Sequence, residues 1–221
     1  MRIVFMGTPQ FAVYALQALN ESEHEVVGVV TSVDKPAGRG KQLRQSAVKE
    51  YAAAEKLTLL QPKNLKDPVF TKELDVLNAD VFIVVAFRML PKTVWSIPPK
   101  GTFNLHASLL PNYRGAAPIN WAIINNETTT GATTFYIDDK IDTGAILLKE
   151  ELVIQPNETV GSLHDKLAPL GANLILKTLD YIATNPTPKP QLLTGDEKEA
   201  PKLTKENTKI DWKHSLKYLD G

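Results

Sequence analysis

The 221-residue sequence contains no cysteine. That absence excludes a disulfide framework and cysteine-based zinc sites, and it fits a cytosolic protein. The four histidines are scattered, and their spacing is not typical of a metal site. No stretch of 18 consecutive apolar residues occurs, and the short N-terminal apolar run ends in Gly7-Thr8-Pro9, which indicates a first strand rather than a signal peptide. We therefore predict a cytoplasmic protein without a membrane span or a bound metal.

The sequence also lacks net charge, because 25 Lys and Arg residues balance 25 Asp and Glu residues. Net charge therefore favours no nucleic-acid partner and excludes none, and any basic surface must be local. Such a surface is suggested by residues 32–44, where two glycines and a single acid, Asp34, accompany four basic residues: Lys35, Arg39, Lys41 and Arg44. A mobile basic loop suits an RNA backbone or a splayed end. On composition alone, a solvated charged loop is the commoner case.

The loop after the first predicted strand lacks the G-x-G-x-x-G pattern of dinucleotide-binding proteins. It reads Gly7-Thr8-Pro9-Gln10, and a proline has no N–H to offer a phosphate. A nucleotide-binding interpretation of this loop is therefore rejected.

Short apolar runs alternate with amphipathic stretches along most of the chain. The pattern predicts strands at 3–6, 26–31, 59–62, 81–86, 102–106 and 131–137, and helices at 11–20, 45–57, 67–78, 91–97, 118–125 and 159–184. Residues 144–148 and 150–154 are predicted to pair as a hairpin around Lys149, whereas residues 32–44 are predicted to be a loop. The expected fold is α/β: a Rossmann-like, doubly wound, mostly parallel sheet with an antiparallel edge.

Composition changes after residue 185. Four prolines occur between residues 186 and 201, in a mixed-charge stretch typical of a linker. We therefore predict a catalytic domain over residues 1–185, and a Pro-rich linker with the start of a further C-terminal domain over residues 186–221.

Asn104 and His106 form the first candidate for chemistry. On a strand over residues 102–106 they point to the same face, because side chains alternate with period two, while Phe103 and Leu105 point into a core. An amide donor beside an imidazole can bind an oxygen that becomes negative during acyl transfer, and the imidazole can move a proton. Taken alone, such a pair is more often a turn cap and a satisfied, half-buried histidine.

An acidic cluster is the second candidate. Asp138, Asp139 and Asp142 lie within five positions, after the apolar run 132–137, and Gly144 ends the turn. A carboxylate near an imidazole can fix its tautomer or hold a water for proton transfer. A solvated acidic turn is the ordinary alternative.

These motifs together resemble the formyltransferase family that uses 10-formyltetrahydrofolate. The resemblance runs from residue 1 to about residue 185 and depends on Asn104-x-His106, Ser108-Leu109-Leu110-Pro111, Tyr113-Arg114-Gly115 and Asp142-Thr143-Gly144, in that order. Residues 7–12, 34–41 and 114–119 are similar to the branch that formylates initiator methionyl-tRNA. Since members of that branch continue into a second domain that helps to hold tRNA, we expect this chain to be a truncated form.

The resemblance implies a role for each matching residue. Asn104, His106 and Asp142 are the expected catalytic residues, and 10-formyltetrahydrofolate is the expected formyl donor. The donor is expected to contact Arg88, Leu90, Ser108, Leu109, Leu110, Pro111, Asp138 and Asp139. Initiator methionyl-tRNA is the expected acceptor, bound by Arg39 as the family's key arginine and by Lys35, Lys41 and Arg44. We expect a monomer that needs no metal.

Four alternatives remain at this point. A sugar-nucleotide N-formyltransferase shares the Asn-x-His pair and the distal Asp, but has less use for the basic loop. A formyltetrahydrofolate hydrolase would use water in place of the amine. A glycinamide ribonucleotide substrate is disfavoured, because the phosphate-binding glycine loop of that branch is missing. A non-catalytic folate- or RNA-binding module would not require Asn104, His106 and Asp142 together.

Overall fold

The structure is a computed structural model that describes residues 1–37, 42–210 and 212–213. The helices are α1 (Gln10–Asn20), α2 (Ala47–Ala54), α3 (Pro68–Val76), α4 (Lys92–Trp95), α5 (Pro118–Ile124) and α6 (Val160–Ala183). The strands are β1 (Arg2–Gly7), β2 (Glu25–Val30), β3 (Lys35–Ala37), β4 (Gln42–Arg44), β5 (Leu59–Leu60), β6 (Val81–Val85), β7 (Thr102–His106), β8 (Arg114–Gly115), β9 (Thr129–Tyr136), β10 (Ile146–Val153) and β11 (Glu199–Ala200).

Within these described ranges, seven strands form the main sheet, in the order β10-β9-β7-β6-β1-β2-β5. The pairs from β7 to β5 are all parallel, whereas β9 and β10 add an antiparallel edge beside β7. The strand order reverses between β1 and β6, since β2 and β5 lie on one side of that point and β7 on the other. This confirms the predicted doubly wound, mostly parallel sheet with an antiparallel edge.

The central strands are apolar at nearly every position because helices cover both faces of the sheet. Ile3 and Phe5 of β1 pack into a core with α1, α2 and α6, while Val4 and Met6 pack into a second core with α3 and α4. The same alternation sends Phe103 and Leu105 of β7 into the first core, as predicted. The opposite face of β7 is thereby free to present Asn104 and His106.

Helix α6 is the longest element and packs directly behind β7. Thr159 caps its first turn by accepting a hydrogen bond from the Ser162 backbone, in a reciprocal capping box. A Cβ atom at Gly171 would lie 2.7 Å from Leu105 Cδ2, so a larger residue there would have to displace the Leu105 side chain. The N-terminal end of α6 is thereby held beside the carboxyl end of β7.

Two local predictions were wrong. Residues 146–153 form one continuous strand, β10, paired antiparallel with β9, and not a hairpin around Lys149. The reason is that Leu147 to Val153 contain no turn-forming residue, and Lys149 continues the strand opposite Thr133 of β9. Residues 32–44 are not wholly a loop either, because β3 and β4 pair as an antiparallel hairpin.

The segment after α6 folds back onto the domain. Lys189 and Ile146 exchange two backbone hydrogen bonds, of 2.7 and 3.1 Å, and β11 pairs with β8. The indole Nε1–H of Trp121 donates to the Pro201 carbonyl at 2.7 Å. The domain boundary at residue 185 stays a prediction, but residues 186–201, called here the C-terminal segment, pack against the first domain.

Among the described residues, no helix combines the length and apolar character needed to cross a membrane.

Candidate active site

A cavity of about 680 Å³ opens at the carboxyl edge of the parallel strands. Its wall includes Pro9 and Phe11 after β1, Ala86 to Leu90 after β6, and the end of β7. This is the point at which the strand order reverses, where open α/β sheets place their ligands. The other walls come from the loop and helix at 115–120, the turn at 137–142, and Val160 and His164 of α6.

Asn104 lines the cavity, and its side chain carries a buried polar atom that has no partner. Among the described residues, its Oδ1 is the buried side-chain nitrogen or oxygen that makes no hydrogen bond. Burying a polar atom without a partner costs about 1–3 kcal/mol. Such an atom on a residue of a cavity wall indicates that the residue binds a ligand.

His106 is 6% exposed and is held by the backbone of the following loop. Its Nε2 lies 2.7 Å from the carbonyl oxygen of Tyr113. A carbonyl oxygen can only accept, so Nε2 carries a proton, and when the ring is neutral its lone pair lies on Nδ1. Nδ1 lies 3.7 Å from Asp142 Oδ2. The imidazole therefore presents a basic nitrogen beside a carboxylate.

Asp142 is brought to this place by contacts far along the chain. Its Oδ2 accepts a hydrogen bond of 2.9 Å from the backbone N–H of Gly115. Its backbone has a left-handed φ of +54°, which an aspartate adopts only when neighbouring contacts hold it. Asn104, His106 and Asp142 thus line one cavity. Asp142 lies 36 positions after His106, so its place in this cavity does not follow from the sequence position alone.

Two residues of the cavity wall, Ala86 and Asp142, and the nearby Tyr113 have left-handed backbone conformations. Ala86, Tyr113 and Asp142 have φ values of +47°, +62° and +54°. None is a glycine, and left-handed conformations of other residues cluster at functional sites. Each of the three ends or turns an element that contributes a group to the site.

The turn after β6 lines the cavity as predicted for a donor-binding edge, and both Arg88 and Leu90 belong to it. Leu90 is buried, but the Arg88 guanidinium turns away to the carbonyls of Pro62 and Lys63. Burial lowers the pKa of Arg88, and its cation stacks 5.6 Å from the centre of the Phe87 ring. Arg88 therefore offers the cavity its backbone and side-chain stem rather than its charge.

The turn Ser108-Leu109-Leu110-Pro111 lies behind the site rather than in the cavity wall. The N–H of Leu110 donates to Thr133 Oγ1 at 3.1 Å, and that hydroxyl donates to the Ser108 carbonyl. Lys149 Nζ donates to the Leu110 carbonyl, and burial lowers the pKa of this lysine. The N–H of Leu110 is therefore already used by β9, and the contact of this turn with the formyl donor stays a prediction.

The two other predicted carboxylates differ in position. Asp138 lines the cavity, and its Oδ1 accepts from the Lys140 backbone at 2.9 Å and from Thr143 Oγ1 at 2.7 Å. It thus closes the turn that carries Asp142. Asp139 is exposed and lies outside the cavity wall.

The basic hairpin begins beside the main sheet. Lys35 and Arg44 are exposed and face each other across β3 and β4, as register partners. Asp34 anchors the base of the hairpin, pairing with Lys49 at 2.5 Å and accepting from Gln61 at 3.0 Å. Arg39 and Lys41, the other two predicted RNA contacts, lie outside the described residues.

Several residues of the site escaped the sequence analysis. Tyr113 and Gly115 act through backbone atoms, so their side chains carry no signal of the role, although both lie in a stretch that matched the family. Gln191 donates from Nε2 to the carbonyls of Asp142 and Gly144, at 2.9 Å each. It comes from the segment predicted to be a linker, and no local pattern singles it out.

A separate titratable cluster lies at the opposite edge of the sheet. Glu23, His24 and Asp180 bring their ligand atoms within 4.8 Å of one another. Glu23 and His24 precede β2, whereas the cavity lies at the carboxyl ends of the parallel strands. This cluster takes no part in the candidate site.

The chain belongs to the formyl transferase family, whose sequence profile matches residues 1–179. It is therefore an enzyme that transfers a formyl group. The curated relatives are more specific. A methionyl-tRNA formyltransferase of Flavobacterium johnsoniae is 61% identical over 216 residues, which cover 97% of this chain and 69% of the relative. The protein of the same name from Bacteroides thetaiotaomicron is 52% identical over 222 residues, which cover 98% of this chain and 69% of the relative.

Solved structures share the fold at lower identity. Phosphoribosylglycinamide formyltransferase from Bacillus halodurans superposes with a TM-score of 0.67 and 22% identity, over 81% of this chain and 93% of that chain. A sugar 3N-formyl transferase in the presence of dTDP and 5-N-formyl-THF gives a TM-score of 0.73 and 21% identity, over 100% of this chain and 77% of that chain. At these identities the likeness establishes the formyltransferase fold.

Proposed function

We propose that this chain transfers a formyl group from 10-formyltetrahydrofolate to the free amine of the methionyl group of initiator methionyl-tRNA, for translation initiation. The single observation that carries the chemistry is that Asn104, whose Oδ1 has no partner, lines one cavity with His106 and Asp142. The acceptor is supported by relatives at 50–61% identity that bear this activity in their names. The proposed enzyme acts as a monomer in the cytoplasm.

The cavity fits a folate in size and in wall chemistry. At about 680 Å³ it lies within the range of small-ligand sites, and a planar ring system is matched by apolar side chains such as Val84, Leu90 and Ile137. The backbone of residues 86–90 and the turn at Asp138 would hold the ring, through main-chain donors and acceptors. When bound, 10-formyltetrahydrofolate supplies the formyl group. The contacts of Ser108 to Pro111 and of Asp139 with the donor stay predictions.

Asn104 provides the first contribution to the reaction. Acyl transfer places negative charge on the carbonyl oxygen, and an amide donor fixed in advance stabilises that charge. The Nδ2 group of Asn104 donates to the formyl oxygen.

His106 and Asp142 provide the second contribution. The lone pair on Nδ1 accepts the proton that the amine loses as its nitrogen bonds to the formyl carbon. The imidazolium then returns this proton to N10 of the donor as the bond between the formyl carbon and N10 breaks, which releases tetrahydrofolate. The Asp142 carboxylate, 3.7 Å away, stabilises the imidazolium that results. The Tyr113 carbonyl keeps the ring in this tautomer, so the base is ready before the substrates arrive.

The basic hairpin provides the acceptor contact. Two cations, Lys35 and Arg44, are cross-strand partners, an arrangement that repels unless an anion lies nearby. A phosphate of the tRNA acceptor end relieves that repulsion. Arg39 and Lys41, in the connection between the two strands, are proposed to contact the same acceptor end.

The direct test is a formyl-transfer assay with 10-formyltetrahydrofolate and charged initiator methionyl-tRNA. Arg39→Ala is compared with Lys72→Ala, an exposed basic residue on α3 that serves as the matched control. We expect transfer to the tRNA, a large loss in Arg39→Ala and little change in Lys72→Ala. Formate release without acceptor, or formylation of an amino-sugar nucleotide in place of the tRNA, would overturn the proposed acceptor. Folate or RNA binding that never depends on Asn104, His106 or Asp142, without any transfer, would overturn the reaction.

A further inference from the structure

We propose that Gln191 is a positioning residue for formyl transfer, because its side-chain amide fixes Asp142 beside His106. The inference rests on the proposed role of Asp142, but not on the identity of the acceptor. Gln191 lies in the C-terminal segment, 49 residues beyond the aspartate.

Asp142 needs to be held in place. Its φ of +54° is unfavourable for an aspartate, and its carboxylate must stay within reach of the imidazole. Asp138 closes the start of the turn through Thr143 and Lys140. The carbonyls of Asp142 and Gly144 point the other way, and both accept from Nε2 of Gln191 at 2.9 Å.

The Gln191 amide can be oriented in one way only. Its Nε2 faces two carbonyl oxygens, which only accept hydrogen bonds. Its Oε1 faces the Arg114 guanidinium, which only donates, with Nε at 3.1 Å. Reversing the amide would lose every one of these bonds. Glutamate would keep the contact with Arg114 but could donate nothing to the two carbonyls.

The Gln191 side-chain amide joins the two parts of the backbone that meet at the site. Arg114 begins β8, whose Gly115 N–H donates to the Asp142 carboxylate at 2.9 Å. The Asp142–Gly144 turn is the other part. Gln191 therefore stabilises the Gly115–Asp142 contact, because it binds Arg114 on one side of that contact and the Asp142–Gly144 turn on the other.

Gln191 is itself fixed by backbone pairing on both sides of it. Two residues before it, Lys189 pairs with Ile146 of β10 through two backbone hydrogen bonds. Further along, β11 pairs with β8 at Arg114 and Gly115. The neighbouring Leu192 and Leu193 are 81% and 60% exposed, so the packing of their side chains does not explain the position of the segment.

The test compares Gln191→Leu and Gln191→Glu with Leu192→Ala, an exposed neighbour, in steady-state formyl transfer. We expect kcat to fall by roughly tenfold to a hundredfold in both Gln191 variants, as for other residues that orient a catalytic group. KM values for both substrates should stay within about threefold, because the residue does not line the cavity. Leu192→Ala should match the wild type. If Gln191→Leu does not fold, Gln191→Glu still tests the inference, since it retains the Arg114 contact.

A double variant separates positioning from general damage. In an Asp142→Asn background, Gln191→Leu should cause little further loss of kcat, because the group that it positions is already disabled. The inference would be overturned if the losses of kcat from Gln191→Leu and Asp142→Asn multiply in the double variant. It would also be overturned if either Gln191 variant alone keeps a kcat within about threefold of the wild type. If the protein releases formate or formylates another amine, the proposed acceptor fails. The same ratios measured on that reaction still decide the role of Gln191.

Discussion

The Nε2–H of His106 donates a hydrogen bond to the carbonyl oxygen of Tyr113 at 2.7 Å. This contact determines which nitrogen of the ring can act as a base. The lone pair is on Nδ1, on the side of Asp142. Tyr113 reaches this place with a left-handed φ of +62°. Strain in the loop backbone therefore serves the chemistry of a side chain on the neighbouring strand.

Replacing Asp142 by asparagine should lower kcat by roughly a hundredfold or more, comparable with the loss of an oxyanion donor. The variant keeps an oxygen for the Gly115 N–H, so the turn is preserved, but it removes the charge that stabilises the imidazolium. Single-turnover formyl transfer measures the effect. Asp75→Asn on α3 is the control, and an Asp142→Asn enzyme that matches it would remove Asp142 from the mechanism.

Asn104→Ala should separate activity from stability. The rate should fall by roughly a hundredfold to a thousandfold, because a donor to the developing oxyanion is lost. The melting temperature should stay level or rise, since a buried acceptor without a partner costs about 1–3 kcal/mol in the free enzyme. Thermal unfolding and transfer kinetics are compared on one sample, with Asn20→Ala as the control. A clear drop in melting temperature would show that Asn104 has a structural partner.

Much of the fold and the centre of the site could be predicted from local patterns. Period-two alternation over residues 102–106 was enough to place Asn104 and His106 on one face and Phe103 and Leu105 in the core. Apolar runs such as 81–85 identify central strands, because a strand covered on both faces needs no polar residues. The order of these elements along the chain then indicates a doubly wound sheet.

The rest of the site depends on contacts that local patterns do not encode. Gln191 and Ala200 meet the site from a Pro-rich stretch whose composition is that of a linker. Their partners, near residues 114 and 142, are distant in sequence. The backbone roles of Tyr113 and Gly115 are invisible for another reason, because any residue has an N–H or a carbonyl to offer. Lys149 was misjudged, since a lysine in the middle of an edge strand resembles a turn when the partner strand is unknown.

Gly115→Ala should impair both stability and catalysis. Gly115 has a φ of +123°, and a Cβ atom would lie 2.5 Å from the Ala200 carbonyl oxygen of β11. The substitution should destabilise the fold by roughly 1–3 kcal/mol and displace the N–H that holds Asp142. Gly195→Ala is a matched control, because its φ is +95° but nothing lies within 4 Å of the added atom.

The two glycine variants are compared by denaturant unfolding and by kcat. Gly195→Ala should lose some stability and keep its kcat, whereas Gly115→Ala should lose both. Equal kcat values in the two variants would show that the contact between β8 and β11 does not govern the site.

The attachment of the C-terminal segment should depend on pH through Glu127. Burial alone would raise the pKa of Glu127, but hydrogen bonds from Lys198 and Tyr113 outweigh it and lower the pKa below its ordinary value of 4.5. The hydrogen bond to Glu127 raises the pKa of Lys198 above its ordinary 10.5, against a smaller effect of burial. These contacts lie beside the backbone bond from the Tyr113 N–H to the Lys198 carbonyl.

The signs of the two shifts define the expected pH window. A lowered carboxylate pKa contributes stability above the unfolded value, and this contribution is lost as the pH falls through the lowered pKa. A raised lysine pKa contributes stability below 10.5, lost as the pH rises through the raised value. Hydrogen-exchange protection of the Tyr113 and Ala117 amides, corrected for intrinsic rates, should therefore be level between these limits and should fall below pH 4.5.

Glu127→Gln tests this assignment because it keeps the shape of the side chain and removes its charge. The variant should show weaker protection of both amides at neutral pH and a flatter dependence on the acid side, since the titrating group is gone. His106 receives its hydrogen-bond acceptor from the same loop, so kcat should fall in parallel with the loss of protection. An acid limb that persists unchanged in Glu127→Gln would assign the pH dependence to another group, and the ion pair with Lys198 would then not be what holds the C-terminal segment against the site.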